Sequence, residues 1–197
     1  MTERRTRKDA ARNEAAVLAA ADTLFDRCES PDDVTMADVA AAAGVGKGTL
    51  FRAFGDRVGL IKALYEARLR PFEEAVDSGP PPLGPGAPPA QRVLALLDAL
   101  LCFKLDNRRL ALALEGSGSG SPYAAGHYDR WHTLLRGVLE QIPGLDDGEF
   151  AAHALLAAVR ADLVEHLAGR EDVPRERMRA QLAEFTTRVL ATPPAPV

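Results

Sequence analysis

The chain has 197 residues, enough for one domain or two small ones, and is 47% apolar but only 6% aromatic. Abundant Ala and Leu with few β-branched runs point to all-α packing. The net charge of −4 excludes a uniformly basic nucleic-acid coat. Cys28 and Cys102 lie too far apart for a disulfide framework or a ligand pair, which suits free thiols in a reducing cytoplasm.

Residues 1–8 read as a basic arm, disordered when free. Its basic residues, Arg4, Arg5, Arg7 and Lys8, fit a solubilising tail or an arm that reaches into a minor groove, with Arg7 a candidate DNA contact. No apolar segment follows that would make it a signal peptide, and no run of about 18 apolar residues predicts a membrane span. A first helix is expected from Asp9 to about Cys28, with Val17, Leu18, Ala21, Leu24 and Phe25 as its apolar stripe. Pro31, Asp32 and Asp33 form a turn, and Val34 can staple the start of the next helix.

Thr35 to Phe54 predicts two short helices across a tight turn. Thr35 is a helix start whose hydroxyl can accept a backbone N–H one or two residues in. Val39, Ala40 and Ala43 share one face, Gly44 ends the helix, and Val45 plugs the turn. The second helix starts near Gly46 with Leu50, Phe51 and Phe54 as apolar positions. Its other side carries Lys47, Gly48, Thr49 and Arg52, a small, hydroxylic and basic front that suits a major groove. Asp56 caps a fourth helix with Val58, Leu60, Ile61, Leu64 and Tyr65 on its apolar side. Arg57 in its first turn opposes the helix dipole, so a DNA phosphate there would satisfy both; an exposed arginine is the plainer alternative. Residues 44–70 hold six basic side chains against two acidic, a local charge of +4, and residues 1–12 hold five against two, or +3. Such local basic faces can hold phosphates because salt limits remote charge to roughly 10 Å.

Asp77 to Ala90 is too rich in Pro and Gly for helix and reads as a linker, residues 77–90, between domains at 9–76 and 91–192. Gln91 to about Asn107 is apolar on most sides and is expected to be central. A short helix follows from Arg108 to Leu114, then a flexible Gly116–Ser121 loop, and a helix from Pro122 to about Gln141. Two more run from Glu149 to about Leu167 and from Arg175 to about Leu190, before a frayed tail. Tyr123, His127 and Trp131 recur on one helix face, with Tyr128 and His132 beside them, either as plain core or as a pocket wall. Met178, Leu182, Phe185 and Val189 have 4-3-4 spacing, either core or a coiled-coil-like seam.

Other chemistry finds little support. Gly44–Thr49 lacks the phosphate-loop pattern, having Ala41 and Gly48 where Gly and Ser/Thr are needed. Histidines 127, 132, 153 and 166 are dispersed, with no His pair at i, i+4 and no CxxC, so no metal site or cofactor is expected. No nucleophile-elbow serine occurs, so no enzyme is expected.

Residues from about Asp9 to Arg70 resemble the DNA-binding domain of the TetR family of transcriptional repressors. The resemblance rests on Thr35, Val39, Ala40, Ala43, Gly44, Val45, Gly48, Thr49, Leu50, Phe51, Phe54, Arg57 and Leu60. The family usually has serine at Gly46, tyrosine at Phe51 and lysine at Arg57. The resemblance implies an all-α chain of about nine helices, an N-terminal three-helix helix-turn-helix domain and a C-terminal helical effector-binding and dimerisation domain. It implies a ligand-responsive repressor that binds a palindromic operator in double-stranded DNA as a homodimer in the cytoplasm. Lys47, Thr49 and Gly48 would face base edges, while Arg7, Thr35, Phe51, Arg52 and Arg57 would sit on the backbone. Effector binding would involve Tyr123, His127 and Trp131, with Phe103 and Arg160 as a facing wall. The last two helices would pair through Ala151, Ala154, Leu155, Ala158, Met178, Leu182, Phe185 and Val189. The alternative is a small-molecule-binding helical protein without specific DNA recognition.

Overall fold

Helix is the only regular structure among the described residues, 2–28, 30–116, 126–145 and 147–191, of this computed structural model. The helices are α1 (Thr2–Arg27), α2 (Met36–Ala43), α3 (Lys47–Phe54), α4 (Arg57–Ser78), α5 (Pro89–Asp106), α6 (Arg108–Gly116), α7 (Gly126–Leu139), α8 (Glu149–Ala157), α9 (Ala161–Glu165) and α10 (Arg175–Leu190). None is long and apolar enough to cross a membrane. The chain divides into two compact units, residues 1–68 with 109–117 and residues 69–108 with 118–197.

In the first unit, α1 begins at Thr2, not Asp9, so the basic segment expected to be disordered is helical. No Gly or Pro interrupts Thr2 to Arg27, and Arg, Lys and Glu are good helix formers. Val17, Ala21 and Phe25 of α1 are buried with Val39 and Ala40 of α2, Leu50 of α3 and Leu60, Ile61, Leu64 and Tyr65 of α4. Val58 was expected on that apolar side but is 45% exposed. Leu110 and Ala111 of α6 are buried in this unit too. Arg109 reaches the Asp26 carbonyl at 3.5 Å. Arg68 ties α4 to α1, with Nε 2.6 Å from Asp22 and Nη2 2.7 Å from Asp26.

The second unit is built around α5, whose Val93, Leu96, Leu97, Leu100 and Leu101 are buried. Helices α7, α9 and α10 pack on it. Arg179 of α10 clamps Asp98 of α5 through both nitrogens, at 2.7 and 2.8 Å, and Arg175 holds Asp106 at 2.5 Å. The Pro/Gly-rich segment before α5 is stitched down by Arg92, which donates to the Leu83 carbonyl at 2.9 Å and the Val76 carbonyl at 3.0 Å. The helix expected to continue from Glu149 to Leu167 breaks between α8 and α9, where Arg160 is extended (φ −65°, ψ 146°). Its guanidinium holds Asp162 at 2.8 Å, and Asp162 accepts the Leu163 N–H at 2.9 Å, so this ion pair caps α9. A wider π-type turn, His166–Arg170, follows α9. The Gly116–Ser121 loop beyond Gly116, the Pro122 start of the next helix and the terminal tail lie outside the described residues.

The turn from α3 into α4 is tight. A Cβ on Gly59 would lie 2.0 Å from the Phe54 carbonyl oxygen. Gly59→Ala is therefore expected to destabilise the protein by about 1–3 kcal/mol, as a backbone contact must give way. Urea unfolding monitored by circular dichroism checks this; an unchanged midpoint would show that the turn relaxes freely.

Candidate nucleic-acid interface

Two short helices meet at a fixed angle in the first unit. Thr35 opens α2 with a reciprocal cap: its Oγ1 accepts from the Asp38 N–H at 3.2 Å, and its own N–H donates to Asp38 Oδ2 at 3.1 Å. The accepted N–H is the third of the helix, deeper than the sequence suggested, because Asp38 supplies the returning carboxylate. The Thr35 hydroxyl also lies 2.5 Å from that carboxylate. These bonds from the Thr35 side chain and then its backbone, with the charge of Lys47 behind them, hold the Asp38 carboxyl below the usual range.

Gly44 closes α2 in the left-handed conformation (φ 65°, ψ 28°). Its N–H donates to the Ala41 carbonyl at 3.2 Å, and the Val45 N–H reaches back to Ala40 at 3.0 Å. This paired closure turns the chain sharply and leaves room for α3 to cross. Asp56 caps α4 through the Gly59 N–H at 2.8 Å, as its sequence position predicts.

Helix α3 is docked by Leu50, its one buried residue. Lys47, Gly48 and Arg52 are exposed and Thr49 is half-buried, so the front face stands clear. Phe51, expected among the apolar positions, is 48% exposed. Phe51 points about 100° round the helix from Leu50, and this short helix buries only Leu50. Gly46 gives α3 no side-chain cap, and the first turn holds no acid, so its N-terminal end meets solvent with its positive dipole uncompensated. A shallow groove beside it is lined by Asn13 and Glu14 of α1 and by Thr49, Arg52 and Phe54.

Arg57 has partners inside the protein. Its Nε donates to the Val34 carbonyl at 3.1 Å and its Nη2 lies 3.6 Å from Asp32. The carbonyl just before the α2 cap thus gives the arginine a structural task that its position in the first turn did not disclose. With Arg68 bound to α1, the exposed basic side chains of this segment are Lys47, Arg52, Lys62 and Arg70, of which Lys62 lies 3.8 Å from Glu66. The Arg7 backbone lies within α1; its side chain is outside the described residues.

In the second unit, Trp131 is 6% exposed and stacks on Phe72, with ring centroids 4.9 Å apart. Phe103 is half-buried on α5, and Arg160 is committed to Asp162. Tyr123 and the His127 side chain lie outside the described residues. Met178, Leu182 and Leu155 are buried within the single chain, whereas Phe185 is 41% exposed and Ala151, Ala154, Ala158 and Val189 are half-buried. The aromatic strip beside Trp131 continues across helices: Tyr128 and His132 of α7 stack with His153 of α8. Sequence spacing missed this cluster because two helices contribute to it.

Residues 17–64 match the family model of bacterial regulatory proteins of the tetR family. Over 188 residues the chain is 24% identical to the HTH-type transcriptional regulator SAR0097 of Staphylococcus aureus (strain MRSA252), covering 93% of this chain and 96% of that one. A TetR-like transcriptional regulator from Rhodococcus sp. RHA1 has the same fold, with a TM-score of 0.62 at 24% identity over 90% of this chain and 95% of the other. So does NalD, the secondary repressor of the MexAB-OprM multidrug efflux pump in Pseudomonas aeruginosa, with a TM-score of 0.60 at 18% identity over 92% and 96%.

The Asp38 cap gives the helix pair a pH signature. A carboxyl held low in the folded state stabilises it fully above the unfolded value of about 3.9, and the benefit is lost as pH falls through the lower folded value. Asp38→Asn is expected to lower the urea midpoint at pH 6, with the gap to wild type closing below about pH 4. A gap constant down to pH 3 would count against the assignment.

Proposed function

We propose that this chain, a DNA-binding transcriptional regulator belonging to the TetR family through residues 17–64, is a repressor that occupies a palindromic operator as a homodimer and is released by a small effector. The observation that carries the proposal is the front of α3: exposed, free of acidic residues and docked from behind by Leu50. Lys47 and Thr49 offer base edges a cation and a hydroxyl, and Gly48, with open space around it, lets the backbone approach. Arg7, Thr35, Phe51, Arg52 and Arg57 are assigned to the phosphate backbone, where they fix register. For Thr35 that role acts through the cap it builds and for Arg57 through its bond to the Val34 carbonyl; for Phe51 it is an apolar contact against sugar.

A two-fold dimer supplies two α3 helices to two half-sites. Phe150 and Phe185, 80% and 41% exposed, support a partner surface on α8 and α10. Ala151, Ala154, Ala158 and Val189 lie on the same helices, while Leu155, Met178 and Leu182 back that surface from the core. The effector is assigned to the second unit, with Phe103, Tyr123, His127, Trp131 and Arg160 as the candidate lining. An effector that binds one dimer geometry better than the other shifts the population away from the operator-bound form. The name of NalD, a repressor of the same fold, supports the direction of control. A protein acting on DNA in this way works in the bacterial cytoplasm.

Selection of genomic fragments by the purified full chain tests the proposal; an enriched inverted repeat is expected, and no enrichment would favour a small-molecule binder without DNA recognition. On the selected site, Lys47→Ala is expected to lose binding with fold and dimer intact. Arg52→Ala is expected to weaken all sequences and to reduce the slope of log affinity on log salt by about one. Phe185→Glu is expected to shift sedimentation toward monomer; an unchanged dimer would move the interface elsewhere.

A further inference from the structure

Three donor groups converge where α7 meets α8. His132 Nε2 and His153 Nε2 each lie 3.6 Å from the same oxygen, Glu149 Oε1. All three ligand atoms fall within 4.8 Å of one another. A tetrahedral ion with bonds of about 2.0–2.1 Å spaces its ligands about 3.3–3.4 Å apart, close to the two His–Glu separations.

The surroundings orient Glu149 and His153, while His132 Nε2 also lies 3.4 Å from the Glu149 backbone carbonyl. Arg136 Nη1 binds the other carboxylate oxygen, Glu149 Oε2, at 2.9 Å, which turns Oε1 toward the imidazoles. The far nitrogen of His153, Nδ1, is 2.5 Å from the Tyr128 hydroxyl oxygen. In the tautomer whose Nδ1–H donates to that oxygen, Nε2 offers its lone pair on the side of Glu149 Oε1, where a cation would be shared. The two rings stack with centroids 3.9 Å apart and planes 23° from parallel. His132 is 9% exposed, whereas Glu149 is exposed, so the cluster is anchored on the protein side and open on the other.

We propose that His132, Glu149 and His153 form a binding site for a borderline divalent transition cation of the Zn2+ class, with a fourth position left to water. Imidazole nitrogens with one carboxylate suit Zn2+ over Mg2+ or Ca2+, which take all-oxygen shells. Tyr128 is a positioning residue that fixes the His153 ring. A bound ion joins α7 to α8, two helices of the second unit. The site stands independently of the DNA-binding proposal.

Titration calorimetry of the metal-stripped full chain with ZnCl2 tests the site. One Zn2+ per chain is expected, with Co2+ giving the intense visible absorption of tetrahedral coordination. Glu149→Gln and His153→Gln alter exposed or half-exposed side chains and are expected to fold, as circular dichroism checks, yet each is expected to lose more affinity than Tyr128→Phe, which should lose about 10-fold or more. His166→Gln, away from the cluster on the turn after α9, should bind as wild type. Absence of Zn2+ binding at micromolar concentration, or wild-type affinity in both Glu149→Gln and His153→Gln, would overturn the site. Loss confined to His166→Gln would do the same by placing any ion elsewhere.

Discussion

The angle between α2 and α3 is the constraint from which the exposed face of the first unit follows. It is set by a left-handed residue, Gly44, and by two backbone bonds that close the end of α2. A residue with a Cβ would carry strain at that φ, so the turn depends on a side chain that is absent. Once the turn is fixed, the buried face of α3 narrows to Leu50, and everything on the opposite side is delivered to solvent. The reciprocal Thr35–Asp38 cap holds the far end of α2, and the Arg57 bond to the Val34 carbonyl locks that end to α4. Helix α3 is thus aimed by contacts made almost entirely behind it.

Charge in this segment serves two ends. A count of basic residues treats all six as available to phosphate, but the structure sorts them. Arg68 fastens α4 to α1 and Arg57 fastens α4 to the start of α2. The remainder, Lys47 and Arg52 on α3 with Lys62 and Arg70 on α4, is a smaller positive surface. Buried or half-buried arginines with oriented acceptors act as clamps, whereas exposed ones keep their charge for a partner. A net charge of −4 is compatible with such a surface because few cations need to act and none is far from its target.

Much of this was legible from the residues. Thr35, Gly44 and Asp56 have local signatures, since a cap or a left-handed turn is decided by neighbours within a few positions. What was not legible depended on distance in sequence. Nothing local distinguishes a stripe that meets its own chain from one that meets a second copy, so Met178 and Leu182 read as a seam although they are buried within the single chain, whose α10 packs on α5. Phe51 carried an aromatic side chain on the wrong side of a helix that buries only one residue. The break at Arg160 has no Gly or Pro to announce it and relies on a guanidinium gripping Asp162. The His132–Glu149–His153 cluster needs two helices to exist, and no spacing rule along one helix could assemble it.

The single anchor of α3 has a dynamic consequence. A helix of eight residues is far below the length at which isolated helices hold together in water, roughly 12–15 residues. Two glycines, Gly46 and Gly48, sit at its beginning, and no side chain caps it. Its persistence therefore comes from Leu50 docking onto the neighbouring helices, and it belongs to the part of the protein that opens most cheaply. A surface that reads another molecule benefits from that placement. Opening α3 withdraws one fully buried side chain, Leu50, from the core of its unit.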